Sequence, residues 1–175
     1  MKILALALAS AAVATMAVAA DAPKVVEGKL QNNAGEQIGT LKVTEAPKGV
    51  MLHLEVQGLT PGWHGLHFHE KGDCSKSDFT SAGTHVHTQP SIVHGLLNPD
   101  ANDSGDLPNL YVGADGKGMV EIFSPFVSVG GAGGRPALLD ADGSAVIIHA
   151  SPDDYMTQPI GGAGARVACA AISGG

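Results

Sequence analysis

Six of the eight histidines fall in short segments whose residue types suit a transition-metal site. They are His67, His69, His85, His87, His94 and His149. Side chains two residues apart leave an extended strand on the same face, so His67 and His69 can reach one ion together. Imidazole binds both copper and zinc, and divalent copper binds the more tightly of the two. The spacing therefore predicts a metal site built from distant parts of the chain.

A lone histidine is most often structural or exposed, and this interpretation applies best to His53. That residue lies on the polar side of its strand, where Leu52, Leu54 and Val56 alternate with polar residues. We therefore expect His53 to be an ordinary surface residue. The six other histidines named above are less well explained as structural or surface residues, because His67 and His69 form a same-face pair.

The elements that must position these histidines have the pattern of strands. Residues 24–57 show period two, broken by turn sequences at 32–35 and 47–49, which predicts hairpins. A turn at 60–62 leads into a strand carrying His64, His67 and His69. Further strands are predicted at 110–112, 119–123, 145–149 and 165–172.

Two long segments without a sustained apolar period, residues 70–107 and 151–164, hold most of the candidate site residues. Such loops in a compact domain are typically functional or disordered. The chain has 175 residues, 4% aromatic residues and 24 glycines, which suits one turn-rich domain. We predict an all-β fold, an antiparallel Greek-key β-barrel or sandwich of about eight strands with two long functional loops.

Residues 1–20 have the composition of a signal peptide. Lys2 precedes an apolar run, and small residues lead up to Asp21. A membrane anchor is the other interpretation, but the run is short and rich in alanine. We therefore expect residues 21–175 to be one exported domain in the periplasm, with no membrane attachment after cleavage.

The charge and the cysteines of the exported part add two expectations. Without Lys2 it has 9 basic and 17 acidic residues, a net charge of −8, which argues against a nucleic-acid partner. In an oxidising compartment Cys74 and Cys169 are most simply a disulfide, whereas thiolate metal ligation would lack a second nearby cysteine.

A more specific resemblance is carried by motifs that run in order along the chain. They occupy residues 65–70 (Gly-Leu-His-Phe-His-Glu), 81–85, 105–110, 148–149 and 161–169. Together they resemble the copper/zinc superoxide dismutase family in its bacterial periplasmic form, over about residues 24–173. A chance match to the motifs around His67 and Arg166 is improbable.

The resemblance implies a role for each matching residue. The implied copper ligands are His67, His69, His85 and His149, and the implied zinc ligands are His85, as a bridge, His94 and Asp106. Asp153 would accept N–H bonds from ligand histidines, and Arg166 would receive the anion beside the copper. Cys74 and Cys169 match the disulfide of the family. The resemblance therefore implies dismutation of superoxide to oxygen and hydrogen peroxide, with copper cycling between two oxidation states and zinc holding the site.

The sequence departs from the family where a third zinc histidine is usual, because Asp103 occupies that position. A second departure places His87 two residues after the bridging histidine. Either residue could complete the zinc site, since zinc accepts carboxylate oxygen as well as imidazole. Charge favours His87, which avoids two carboxylates and an imidazolate on one dication. Weak zinc binding is the third outcome.

The main rival function is a periplasmic module that binds copper and zinc without turnover. A zinc hydrolase would need a general-base carboxylate beside an open zinc position, and nothing specific in the sequence provides one. Superoxide is the expected small-molecule partner. The sequence leaves open whether the protein is a homodimer or a monomer.

Overall fold

The computed structural model describes residues 22–174, which form an antiparallel β-barrel. Its strands are β1 (Val25–Asn32), β2 (Gln37–Ala46), β3 (Gly49–Gln57), β4 (Gly62–His64), β5 (Leu66–His69), β6 (Leu110–Val112), β7 (Lys117–Ser124), β8 (Ser144–His149) and β9 (Arg166–Ile172). They follow one another in the order β4-β6-β7-β3-β2-β1-β9-β8-β5. The predicted all-β antiparallel fold is confirmed.

The alternating pattern of the sequence explains which side of the sheet is buried. In β3 the apolar residues Leu52, Leu54 and Val56 face the barrel interior, and the residues between them face outward. The same alternation continues in β2, whose Leu41 pairs in register with Leu54. Because side chains alternate across a strand, one face of each hairpin builds the core and the other meets solvent.

The single strand predicted to carry His64, His67 and His69 is two strands, so residues 22–174 contain nine strands where about eight were expected. The chain breaks at Gly65, where β4 leaves to pair with β6 and β5 begins its pairing with β8. The Gly65 N–H donates to Ser151, and its carbonyl accepts from His149. A Cβ at position 65 would lie 2.8 Å from the Ala163 Cβ, so a larger residue could not follow this path.

Two long loops carry most of the remaining candidate residues: one joins β5 to β6, and the other joins β8 to β9. The first, residues 70–109, contains one 3-10 turn, Thr80–Ala82, and the second spans residues 150–165. The expected disulfide is confirmed, because Cys74 in the first loop is bonded to Cys169 on β9. The bridge fixes the start of the long loop against the strand that begins at Arg166.

The proposed signal peptide, residues 1–20, lies outside the described residues. Within residues 22–174 no helix has the length and apolarity that crossing a bilayer requires.

Candidate metal centre

Strand β5 brings the distant histidines together because it is paired on both of its edges. On one edge it pairs with β8, which ends at His149. On the other edge the long loop adds isolated bridges, joining His69 to His85 and His67 to Asp106. Because Leu66, Phe68 and Ile148 face the core, the histidines of β5 and β8 lie on the opposite, outer face of the sheet, where they meet the long loop.

Four buried histidines, His67, His69, His85 and His149, form the first cluster. One ring nitrogen of each lies within 4.8 Å of the corresponding nitrogens of the other three. Each ring also has one buried nitrogen without a hydrogen-bond partner among residues 22–174. Buried polar atoms are rarely left unpaired, so four such nitrogens around one point fit a bound metal cation.

The opposite ring nitrogens of this cluster are tied to oxygen acceptors, which fixes which nitrogen is free. The Nδ1 of His69 donates to the Gly83 carbonyl, and that of His149 donates to the Gly164 carbonyl, each over 3.0 Å. The Nε2 of His67 donates to Asp153 over 2.8 Å. Because carbonyls and carboxylates only accept, the remaining nitrogens carry lone pairs directed to the cluster.

Burial keeps these histidines neutral. It lowers the pKa of His67, and it lowers the pKa of His69 well below the ordinary value. The pKa of His149 falls to about 3, through burial and then through the neighbouring His67. A metal ligand must be unprotonated, so these three imidazoles are ready to bind copper at neutral pH.

His85 also belongs to a second cluster, with His94, Asp103 and Asp106. The Nδ1 of His85 lies 2.7 Å from Asp103 and 3.5 Å from Asp106. The Nδ1 of His94 lies 2.6 Å from Asp106 and 3.7 Å from Asp103. Two nitrogens and two carboxylate oxygens so close together are a donor set that suits zinc.

The pKa values in the second cluster move in the opposite direction from those in the first. Burial lowers the pKa of His94, but hydrogen bonds to Asp103, Asp106 and Asp153 outweigh it and raise the pKa to about 11. The pKa of His85 is raised in the same way against burial, mainly by Asp103. Both ring nitrogens of His94 contact carboxylates, which requires the imidazolium when no metal is bound.

The structure brings Asp103 into this cluster and leaves His87 outside it. Asp103 turns one carboxylate oxygen to the Gly105 N–H and the other to His85. The Nδ1 of His87 donates to the carbonyl of His85 over 2.7 Å, so its ring turns back on its own segment. Asp103 therefore lies beside both His85 and His94, whereas His87, which charge alone favours, does not contact the carboxylates.

Asp153 joins the two clusters with its two carboxylate oxygens. One accepts from His67 over 2.8 Å, and the other accepts from His94 over 3.0 Å. Because of its bonds to His67 and His94, the pKa of Asp153 is held below its ordinary value despite burial. A fixed carboxylate of this kind orients histidines on both sides of the site.

Arg166, at the start of β9, adjoins the first cluster. Its guanidinium donates to the carbonyls of Phe79 and Gly83 over 2.6 Å and 2.7 Å. The Gly83 carbonyl also accepts from His69, so one oxygen orients both an expected copper ligand and the arginine. Burial lowers the pKa of Arg166, but an arginine remains charged in proteins. The half-buried side chain therefore provides a fixed positive charge beside the histidines.

Sequence reasoning missed several groups that hold the site. The carbonyls of Phe79 and Gly83 carry no residue-type signal, because any residue has a carbonyl. Asn109 and Gln158 were not singled out either, although their side chains bond to the backbone of Asp153 and His94. Asn109 lies inside a motif segment, and that position was the one available hint.

Comparisons with known proteins agree with this geometry. A family model described as copper/zinc superoxide dismutase matches residues 37–172. A curated copper/zinc superoxide dismutase from Caulobacter vibrioides is 69% identical over 138 residues, covering 79% of each chain. Among solved structures, a superoxide dismutase-like protein from Bacillus subtilis has a TM-score of 0.78 at 40% identity, covering 86% of this chain and 99% of that one. The copper/zinc superoxide dismutase from Brucella abortus has a TM-score of 0.68 at 29% identity, covering 85% and 99%.

Proposed function

The chain belongs to the copper/zinc superoxide dismutase family, and on that premise we propose which of its residues carry out the reaction. The protein is an oxidoreductase that converts two superoxide anions and two protons into dioxygen and hydrogen peroxide. It uses copper and zinc. The single observation that carries the assignment of residues is the cluster of four buried histidine nitrogens that lack any other partner within residues 22–174.

Copper would be held by His67, His69, His85 and His149. When bound there, copper supplies a one-electron redox couple, which superoxide dismutation requires and which zinc lacks. The chain fixes the orientation of three of these imidazoles through Asp153 and two backbone carbonyls. Such preorganisation keeps the ligand nitrogens aimed at one point without reorganisation during turnover.

Arg166 receives the superoxide anion. Its guanidinium is planar, permanently charged and held by two carbonyls, so it can attract and orient a small anion beside the copper ligands. His85 serves as the proton carrier, because its Nε2 is free of other partners among the described residues while its Nδ1 faces the zinc cluster. That nitrogen is also the one that would bind copper, so it can hold a proton only while it is not coordinated, and a proton taken up there from solvent would then be available to the peroxide product.

Zinc would be held by His85, His94, Asp106 and Asp103. The distances among their donor atoms support Asp103 as the fourth ligand. Two carboxylates and an imidazolate offset more than the charge of one dication, and the N–H groups of Gly95 and Gly105 soften this excess by donating to Asp106 and Asp103. Zinc holds the loop residues in place and does not change oxidation state.

Replacement of the fourth ligand tests this choice directly. We expect Asp103→Ala to lower zinc affinity by more than about a hundredfold, since losing even an outer-shell partner costs about 10- to 100-fold. His87→Ala is expected to leave zinc content unchanged. Metal analysis after dialysis against a weak chelator measures both. Loss of zinc from the His87 variant with retention in the Asp103 variant would reverse the choice, and retention in both would exclude both residues.

Zinc uptake by the metal-free protein is expected to release about one to two protons at pH 7, because zinc must displace protons from His94 and His85. Without metal, carboxylate hydrogen bonds raise the pKa of His94 to about 11, so His94 is an imidazolium at neutral pH, and Asp103 and Asp106 also raise the pKa of His85. Zinc affinity should therefore fall as pH falls. Calorimetric titration in two buffers with different protonation enthalpies counts the protons. His53→Ala, on the outer face of β3, is the control and should release the same number; zinc uptake without proton release would contradict the assignment.

A superoxide assay on copper-loaded and metal-free protein tests the activity as a whole. Activity that appears with copper and disappears on its removal is the expected result. Binding of both metals without turnover would instead support the rival function, a non-catalytic copper and zinc module on the same fold. The presence of Arg166 beside the histidine cluster favours catalysis, because a storage site has no need of a fixed anion receptor.

We propose that residues 1–20 are a signal peptide and that residues 21–175 act in the periplasm. The confirmed disulfide supports an oxidising compartment. The oligomeric state, homodimer or monomer, depends on whether a second copy covers the exposed outer face of β4, β6 and β7. On that face the tilted rings of Trp63 and Tyr111 pack with their centroids 5.0 Å apart. Sedimentation of the mature protein distinguishes the two states. Superoxide is the small-molecule partner, and no nucleic-acid or membrane partner is proposed.

A further inference from the structure

We propose that Gln158 is a positioning residue for the zinc ligand His94, and this inference rests on the proposed function. Gln158 lies in the loop between β8 and β9, 64 residues along the chain from His94. The His94 N–H donates to Gln158 Oε1 over 2.9 Å, and Gln158 Nε2 donates to the His94 carbonyl over 2.8 Å. One side-chain amide thus pairs with both backbone polar groups of a zinc ligand.

The amide fits this task because it provides one acceptor and one donor at fixed separation, as a peptide group does. The pairing imitates one step of a β-ladder between two loops that have no strand in common. A hydroxyl or a carboxylate could not reproduce it: a hydroxyl is a single atom, and a carboxylate has no donor. The structure therefore gives the glutamine side chain a role that depends on its chemistry and its length.

A second amide makes the reciprocal connection between the same two parts of the chain. Asn109 pairs with both backbone polar groups of Asp153, over 2.8 Å and 2.9 Å. Asp153 in turn accepts from the His94 ring over 3.0 Å. The loop carrying Gln158 and Asp153 is thus tied to the zinc loop by both amides, in addition to the contact between His94 and Asp153 and the bonds of Tyr155 to Leu97 and Asn109.

Without the Gln158 bonds, the backbone of His94 would keep only the weaker bond from Asn98 to its carbonyl, 3.2 Å long. The His94 backbone could then move while the barrel remained intact, because the lost bonds join two loops. The neighbouring residues would keep the bonds from Gly95 to Asp106 and from Leu97 to Tyr155. Zinc would lose a well-placed nitrogen. Copper would lose nothing directly, because His67, His69 and His149 are held by other groups.

The test compares zinc and copper affinities of purified mature protein by chelator competition. Gln158→Met keeps the length of the side chain and removes both hydrogen bonds; we expect about a tenfold loss of zinc affinity, the lower end of the range for partners of a metal ligand. Copper affinity should change by less than about twofold. Gln57→Met, at an exposed glutamine at the end of β3, is the matched control and should change neither.

Gln158→Asn gives an independent second variant, because it keeps the amide but is one methylene too short to span both backbone groups. It should lose zinc affinity as the methionine variant does, and hydrogen exchange of the His94 amide should accelerate in metal-free protein of both variants. Unchanged zinc affinity in a folded variant, or equal losses of zinc and copper, would overturn the proposal. If wild-type protein binds both metals and dismutates superoxide, either of those results refutes the role of Gln158 and leaves the proposed function standing.

Discussion

His149→Ala is expected to abolish copper-dependent dismutation, with copper affinity and turnover each lowered by more than about a hundredfold. Loss of an outer-shell partner costs about 10- to 100-fold in metal affinity, so loss of a direct ligand costs more. His149 is the ligand that comes from β8, and no other residue of that strand directs an imidazole into the cluster. The other three nitrogens cannot compensate from their own segments.

The fold should survive this substitution, because His149 is held mainly through its backbone. Its N–H donates to Gly65, and its carbonyl accepts from His64, and alanine keeps both backbone groups. Removing a buried imidazole leaves a small cavity, which lowers stability modestly. Zinc binding should also persist, since His149 does not belong to the second cluster.

Copper content, zinc content and superoxide turnover are measured together on the same preparations. His53→Ala is the matched control, a histidine on the outer face of β3 that contacts only carboxylates of that surface. It should retain both metals and full turnover. Turnover in a copper-loaded His149→Ala protein at the wild-type level would remove His149 from the reaction and refute the assigned copper site.

The strands were predictable from the sequence wherever one of their two faces is exposed to solvent. In β3, for example, Leu52, Leu54 and Val56 are buried and the residues between them are not, so apolar and polar residues alternate in the sequence. The break at Gly65 was not predictable in this way, because both β4 and β5 lie close to the site and β5 is buried on both faces. A strand that is buried on both faces has no alternation of apolar and polar residues. Only its pairing with neighbouring strands shows where it ends.

Some residues of the site were likewise predictable from the sequence, and others were not. The pairing of His67 with His69 follows from strand geometry, and the wider set of ligands came from resemblance to a known family. Charge could not predict the orientation of His87, since it depends on a hydrogen bond that turns the ring back to the His85 carbonyl. The roles of Asn109 and Gln158 depend on how two loops meet, which no local pattern specifies.

Removal of the disulfide is the second large effect, and it is expected to act on stability more than on the metal ligands. Cys74→Ala/Cys169→Ala should lower the free energy of unfolding of the metal-free protein by about 4 to 5 kcal/mol, since the bridge closes a loop of 95 residues. For a domain of this size that loss corresponds to about 10 to 15 °C in Tm. The removed bridge lies beside a small cluster of Phe79, Ala82, Ala145 and Ile147, which alanine at position 169 can still join.

Activity should fall in the same variant because the bridge also supports the anion receptor. The loop that Cys74 anchors includes Phe79 and Gly83, whose carbonyls hold the guanidinium of Arg166. A loosened loop places that charge less precisely, so we expect the apparent affinity for superoxide to fall more than copper affinity does. Thermal unfolding with and without metals separates the two contributions, because bound metal stabilises only the folded state. A metal-free double variant that unfolds at the wild-type temperature would show that the long loop is held by its other contacts, and the bridge would then have no part in positioning Arg166.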